Sequence, residues 1–220
     1  MLTSYQTNTA NLLQNPGAPS TLYSTANLTT YINIARGQIA GESEGIRAIG
    51  TLATTIGQRV YPFSSINIGT PATTGIQGVI NVRWLMYNVA QGQKWIKEKS
   101  WPWFSFQRLN NPVPTSSFPT EWAQFGQGTS GQGSITGVGT GTLASGSIYI
   151  DPLPNLVYTL QCDCCCYPQA LAADTDVEAL PYFWTDAVPY FAARSVTTIT
   201  QDKQRSRERS EEHTSELQSR

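Results

Sequence analysis

GVINVRWLMY, the stretch from Gly78 to Tyr87, is where the fold is decided. It is rich in branched and aromatic residues and has no proline. Read at a period of two, it is a strand with Val82, Trp84 and Met86 on one face and Val79 and Asn81 on the other. Strand signals continue on both sides of it. Gly57 to Phe63 and Ile66 to Ile68 are short candidates separated by turn residues. Downstream, Lys94, Lys97 and Lys99 lead into Trp101-Pro102-Trp103-Phe104-Ser105-Phe106, where alternation sends Trp101 and Trp103 to one face and Phe104 and Phe106 to the other. A proline-punctuated loop follows at Asn111 to Pro114. Gly126 to Gly146 holds eight glycines, a linker-like composition that between strands reads as an extended hairpin or a mobile loop. Beyond it, Ser147 to Ile150 and Leu156 to Leu160 flank Asp151-Pro152-Leu153-Pro154-Asn155, which reads as a turn joining two antiparallel strands.

Helical periodicity brackets this β-rich middle. After Asn27, a candidate N-cap, Leu28, Tyr31, Ile32, Ala35 and Ile39 recur on one stripe, and Arg36, Gln38 and Glu42 lie off it on a polar side. Leu2, Tyr5, Leu12 and Leu13 mark a shorter helix ending before Asn15-Pro16-Gly17, and a break at Glu42 to Gly45 closes the main one. Near the other end, Val177, Leu180, Trp184, Ala187 and Phe191 form an apolar stripe interrupted by Pro181 and Pro189, with Asp176 and Thr185 or Asp186 as caps. The expected class is therefore α+β: a small helical bundle with an inserted antiparallel β-sandwich-like domain. Its parts are an N-terminal helical segment over 1–48, a β-rich insertion over 49–168 and a C-terminal helical segment over 169–208.

The last stretch, RSEEHTSELQS from Arg209, is similar to the in-frame translation of a sequencing-library adapter, so 209–220 is expected to be a non-native tail that replaces the natural C-terminus. The chain's one histidine, His213, lies in it. Removing Arg209, Arg220, Glu211, Glu212 and Glu216 from 14 basic and 15 acidic residues leaves twelve of each. That balance lacks the basic face of a nucleic-acid binder. Charged residues make up 13% of the chain, against about a quarter in ordinary soluble proteins, which suits a surface covered by neighbours and equally an extracellular β-protein. The N-terminus carries no signal-peptide pattern and no stretch reaches membrane-spanning length, so a soluble protein made in a cytoplasm is expected.

Little in the sequence points to catalysis. Without a native histidine, triads and histidine bases fall away. Cys162, Cys164, Cys165 and Cys166 are too close in sequence to converge on a metal or to form unstrained disulfides, and read as reduced apolar residues of a buried strand. Glu121 or Glu98 against Asp151 or Asp163 is the one conceivable acid pair, but these are ordinary positions for solvated carboxylates. Gly137 to Gly141 lacks the Lys-Ser/Thr ending of a phosphate loop. No catalytic, cofactor or metal residues are assigned. Trp101 and Trp103 are the alternative candidates, as aromatic platforms for a glycan.

The run Leu28 to Glu42, with Ile46-Arg47 after it, resembles the N-terminal helical part of head-to-tail connector and tail-accessory proteins of tailed bacteriophages. Gly146 to Leu160, followed by Leu180-Pro181-Tyr182-Phe183-Trp184 and Val188 to Ala193, is similar to the end of their β-insertion and the start of their C-terminal helix. The Cys162 to Cys166 cluster and the polar run Val196 to Gln201 depart from that pattern. The resemblance implies a non-enzymatic virion protein of the head-tail junction, assembled in the bacterial host cytoplasm as a homo-oligomeric ring between portal and tail proteins. From the charge balance and the lack of a membrane-length apolar stretch, neither a membrane nor a sequence-specific nucleic acid is expected as a partner. Arg36, Glu42 and Arg47, which flank the polar side of the main helix and the break after it, are the expected subunit-interface residues of such a ring. The alternative is a carbohydrate- or receptor-binding β-sandwich protein of a phage tail.

Overall fold

The structure is a computed structural model and describes residues 1–14, 23–88, 90, 92–106, 116–125 and 146–199. The expected turn at Asn15 to Gly17, the loop at Asn111 to Pro114, the glycine-rich stretch to residue 145 and the tail at 209–220 lie outside the described residues. The chain divides into a helical unit, Met1–Ile39 with Ala170–Asp176 and Leu180–Arg220, and a β unit, Ala40–Gln169 with Val177–Ala179. The α+β class is borne out.

In the helical unit, α1 (Leu2–Leu12) buries Leu2, Tyr5 and Thr9. Leu12, expected on its buried side, is exposed, because the α1 stripe follows Leu2, Tyr5 and Thr9 instead. Helix α2 (Thr25–Ser43) starts two residues before the expected Asn27 cap. Ser24 is the residue in the capping position: its hydroxyl accepts the Asn27 amide at 3.2 Å, which leaves Asn27 inside the first turn. The predicted stripe is confirmed by the burial of Leu28, Ile32, Ala35 and Ile39. The C-terminal stripe is shifted. After a short α5 (Tyr182–Thr185), helical backbone runs over 188–199, and Val188, Ala192 and Val196 are buried at i, i+4 and i+8. Val177 is exposed. Asp176 caps no helix; its carboxylate accepts the amides of Ala172 at 2.6 Å and Ala173 at 2.8 Å, closing a turn.

The β unit holds β1 (Arg47–Ala53), β2 (Val60–Pro62), α3 (Pro71–Thr74), β3 (Ile76–Tyr87), β4 (Trp95–Glu98), α4 (Trp101–Phe104), β5 (Ser116–Ser117), β6 (Glu121–Phe125), β7 (Ser147–Asp151), β8 (Leu153–Pro154) and β9 (Thr159–Pro168). Seven strands form one sheet in the order β1-β9-β3-β4-β6-β7-β2. Every neighbouring pair in it is antiparallel except β4–β6. The strands at its two edges, β1 and β2, are joined by residues 54–59. Flat, seven strands would set those edges about 29 Å apart, beyond the roughly 25 Å that seven Cα steps can reach. The sheet must therefore curl, and Thr51 and Asn67 exchange backbone hydrogen bonds of 2.9 and 2.8 Å that cover the free edge of β1. Tyr61 fixes the connection by accepting the Thr55 amide while its hydroxyl lies 2.9 Å from the Gln58 carbonyl.

Three strand readings are corrected. Strand β3 does not keep a strict alternation, because its register against β9 shifts between Val82 and Trp84, skipping Arg83. One extra residue reverses which face later side chains take. Val82, Leu85 and Tyr87 are fully buried, and Trp84 and Met86 lie on the opposite face from the one expected. Residues 101–104 are a helical turn, with Pro102 in its first turn, so the alternation read there does not exist. The strands on either side of Asp151 to Asn155 are not partners: β7 pairs with β6 and β2, whereas β9 pairs with β1 and β3. Strand β1 was not foreseen.

Candidate interaction surfaces

The predicted interface residues occupy three different settings. Arg36 is on α2 but 0% exposed, contrary to the polar side expected for it. Its Nη1 donates to Asn33 Oδ1 at 3.0 Å. Asn33 also accepts the Leu171 amide at 2.9 Å and donates to the Leu171 carbonyl at 3.0 Å, so Arg36 belongs to a network that ties the 170–176 segment to α2. A buried guanidinium is tolerated because polar groups meet it there. Glu42 is exposed. Arg47, at the start of β1, is paired within the chain: Nε donates to Asp163 Oδ1 at 3.2 Å and Nη2 bonds Oδ2, with the carboxylate almost fully buried.

Trp101 and Trp103 are not an open platform. Trp101 lies 4.4 Å from Phe125 and 4.7 Å from Tyr149 by ring centroids, and both indoles pack on the buried cluster of Phe104, Ala123 and Tyr149. Lys99 Nζ sits over the Trp103 ring at 4.2 Å. The carboxylates considered as an acid pair are placed partly together. Glu121 and Asp151 are direct cross-strand partners on β6 and β7. Each has a cation beside it, Lys99 at 3.5 Å from Glu121 and Arg59 at 2.9 Å from Asp151. Four partly buried charges thus compensate one another, which holds this corner of the sheet and leaves neither carboxylate placed as a lone acid. Asp163 is bound to Arg47 on another part of the sheet, and Glu98 is exposed.

All four cysteines are free and buried on β9, as the sequence indicates. A hydrogen bond with Cys164, together with burial, pushes Cys162 up, and burial pushes Cys166 up to about 12. Burial and the neighbouring Glu44 also raise Cys165. Cys162, Cys165 and Cys166 therefore stay thiols at neutral pH, whereas the hydrogen bond with Cys162, aided by the Gly50 backbone, works against burial to lower Cys164, which is nonetheless fully enclosed. Among the described residues, no three His, Cys, Asp or Glu side chains gather to hold a metal ion, and no helix is long and apolar enough to cross a membrane.

The structure adds two surfaces. In the helical unit, a groove of about 720 Å³ runs between α1 and the C-terminal turns, lined by residues that include Tyr5, Asn8, Leu12, Tyr182, Asp186 and Tyr190. Tyr182 is 82% exposed, Phe183 71% and Tyr190 64%, three large aromatic side chains open to water within nine residues. The two Pro-Tyr-Phe tripeptides at 181–183 and 189–191, each at the start of a helical segment, are the sequence signal for it. In the β unit, the outward faces of β3 and β4 carry Trp84 and Trp95, whose rings meet edge to face at 5.0 Å. Their signal was masked by the parity reversal at Arg83. Compared with models of known protein families and with curated proteins, the chain matches none.

Proposed function

We propose that the chain is a structural protein of the head-tail junction of a tailed bacteriophage, a non-enzymatic subunit of an oligomeric ring that joins portal to tail. The observation that carries this reading is the aromatic face of the helical unit. Tyr182 and Tyr190 line a groove in this unit, and with the exposed Phe183 they offer the kind of apolar surface that monomers seldom keep and subunit contacts bury. The low charge of the chain favours the same use, since interface cores are depleted in charged residues. The division into a helical unit drawn from both ends of the sequence and a β unit drawn from its middle supports the same reading. Glu42 remains an exposed candidate for contacts between subunits, whereas Arg36 and Arg47 serve the fold of their own chain.

The test is to replace Tyr182, Phe183 and Tyr190 together by serine and to compare the variant with the wild type by sedimentation in the presence of portal rings. The wild type should co-sediment with the portal as a multimer, and the variant should remain a folded monomer. A variant that assembles as well as the wild type removes the aromatic face from the contact.

A further inference from the structure

We propose that the outward face of β1, β9, β3 and β4 is a carbohydrate-binding surface, with Trp95 as its stacking platform. This site is separate from the aromatic groove and does not depend on the connector reading. The register places its parts. Met86 stands opposite Trp95 on β4 and opposite Gln161 on β9, and Gln161 stands opposite Thr51 on β1, so these four residues form one row across the sheet. The next row runs Trp84, Asp163 and Ile49.

The composition of the two rows is what selects a sugar. Trp95 is 59% exposed and is held by the edge-to-face contact with Trp84, so an indole is presented in a fixed orientation. A pyranose offers an apolar face of ring hydrogens to such an indole and hydroxyls around its rim. The hydroxyls meet polar groups in the same row, Gln161 and Thr51. From Trp95 to Gln161 is two strand spacings, about 10 Å, which two linked pyranose rings can span. Beside that row, Asp163 is buried and clamps Arg47 through Nε and Nη2, leaving Nη1 of a half-exposed guanidinium outside the pair. A protein partner would be better met by a continuous apolar patch; here Thr51, Gln161 and Arg47 alternate with the aromatic and aliphatic groups. The ligand class is accordingly an oligosaccharide of at least two pyranose units with equatorial substituents, lying across the strands.

The test uses the intact chain. It is titrated with the β-1,4-linked hexasaccharides of glucose and of N-acetylglucosamine, followed by tryptophan fluorescence and calorimetry, and applied to a broad glycan array. Saturable binding is expected, weakened about tenfold or more by Trp95→Ala and several-fold by Gln161→Ala. Phe106→Ala, at an exposed aromatic elsewhere, should change nothing. Urea unfolding of each variant checks that it remains folded. No binding on the array or in titration, or binding that Trp95→Ala leaves intact, overturns the proposal. So does a Trp95→Ala variant whose only change is in sedimentation, because the face would then be a protein contact.

Discussion

Arg36 gives the sharpest quantitative test of the helical unit. Three substitutions separate the contributions of its charge, its hydrogen bonding and its volume. Arg36→Met keeps most of the apolar stem and removes the guanidinium. It breaks the bond to Asn33, and a hydrogen bond to a charged group contributes about 1.5–3 kcal/mol. The acidic neighbour that senses Arg36, Asp176, is partly exposed and held by the Ala172 and Ala173 amides, so it is left with little penalty. Arg36→Ala loses the same bond and also leaves a cavity at a site with 0% exposure, for a total of about 3–5 kcal/mol. Arg36→Glu buries an uncompensated carboxylate opposite Asn33 Oδ1 and should cost at least as much as Arg36→Ala. The assay is urea unfolding at pH 7 with the slope checked for constancy. Destabilisation in the order Met, Ala, Glu is expected. An Arg36→Glu protein within about 0.5 kcal/mol of the wild type, the range of ordinary surface substitutions, would refute the placement of Arg36 inside the network.

Gly50 on β1 has no room for a side chain: a Cβ there would press on Ile66 Cγ2 and lie 3.0 Å from Ile68 Cγ2 and 3.4 Å from Cys164 Sγ. Gly50→Ala should therefore lower stability by about 1–3 kcal/mol, and an unchanged melting temperature would contradict the packing of residues 66–68 over β1. In the helical unit, hydrogen bonds from the Thr3 hydroxyl and amide, followed by those of the N-terminal amine, hold the Asp174 carboxyl well below its ordinary range. A depressed folded value means that its stabilisation is present above the unfolded value, near pH 4, and is lost as pH falls below it. Asp174→Asn should flatten the wild type's loss of stability between pH 5 and pH 2, and equal slopes in both proteins would count against the contact. The buried thiols should resist alkylation by iodoacetamide at pH 8 until the chain is unfolded, while Cys164→Val costs under about 1.5 kcal/mol; rapid labelling of the native protein would show that β9 is not enclosed.

Much of the fold was legible because long periodic segments announce themselves. The α2 stripe and the body of β3 follow from apolar spacing alone. The failures have local physical causes. Strand β1 reads Arg47-Ala48-Ile49-Gly50-Thr51-Leu52-Ala53, with small residues facing inward where Ile66 and Ile68 approach, so its strand character comes from pairing with β9 and not from its own composition. The irregularity at Arg83 reversed the faces of Trp84 and Met86, and so hid the exposed Trp84–Trp95 pair. Trp101-Pro102-Trp103-Phe104 looks alternating, but a proline in the first turn of a helix is as natural as one at a strand edge, and packing against Tyr149 decided between them. Arg36 lies off the apolar stripe, yet α2 is buried over a wider arc, and a partner that helps to hold it there, Asn33, is one turn away on the same helix. Aromatics at 182, 183 and 190 fall in the first turns of two helical segments that begin at Pro181 and beside Pro189, where too few residues repeat for periodicity to say which are exposed.

The central claim, that this chain assembles into a ring at the head-tail junction, is tested most directly by native mass spectrometry of the wild-type protein alone and mixed with purified portal rings. The account predicts a closed multimer of defined subunit number, formed at least in the presence of portal and bound to it. A chain that stays monomeric at every concentration, and that leaves the portal's mass unchanged, would contradict it.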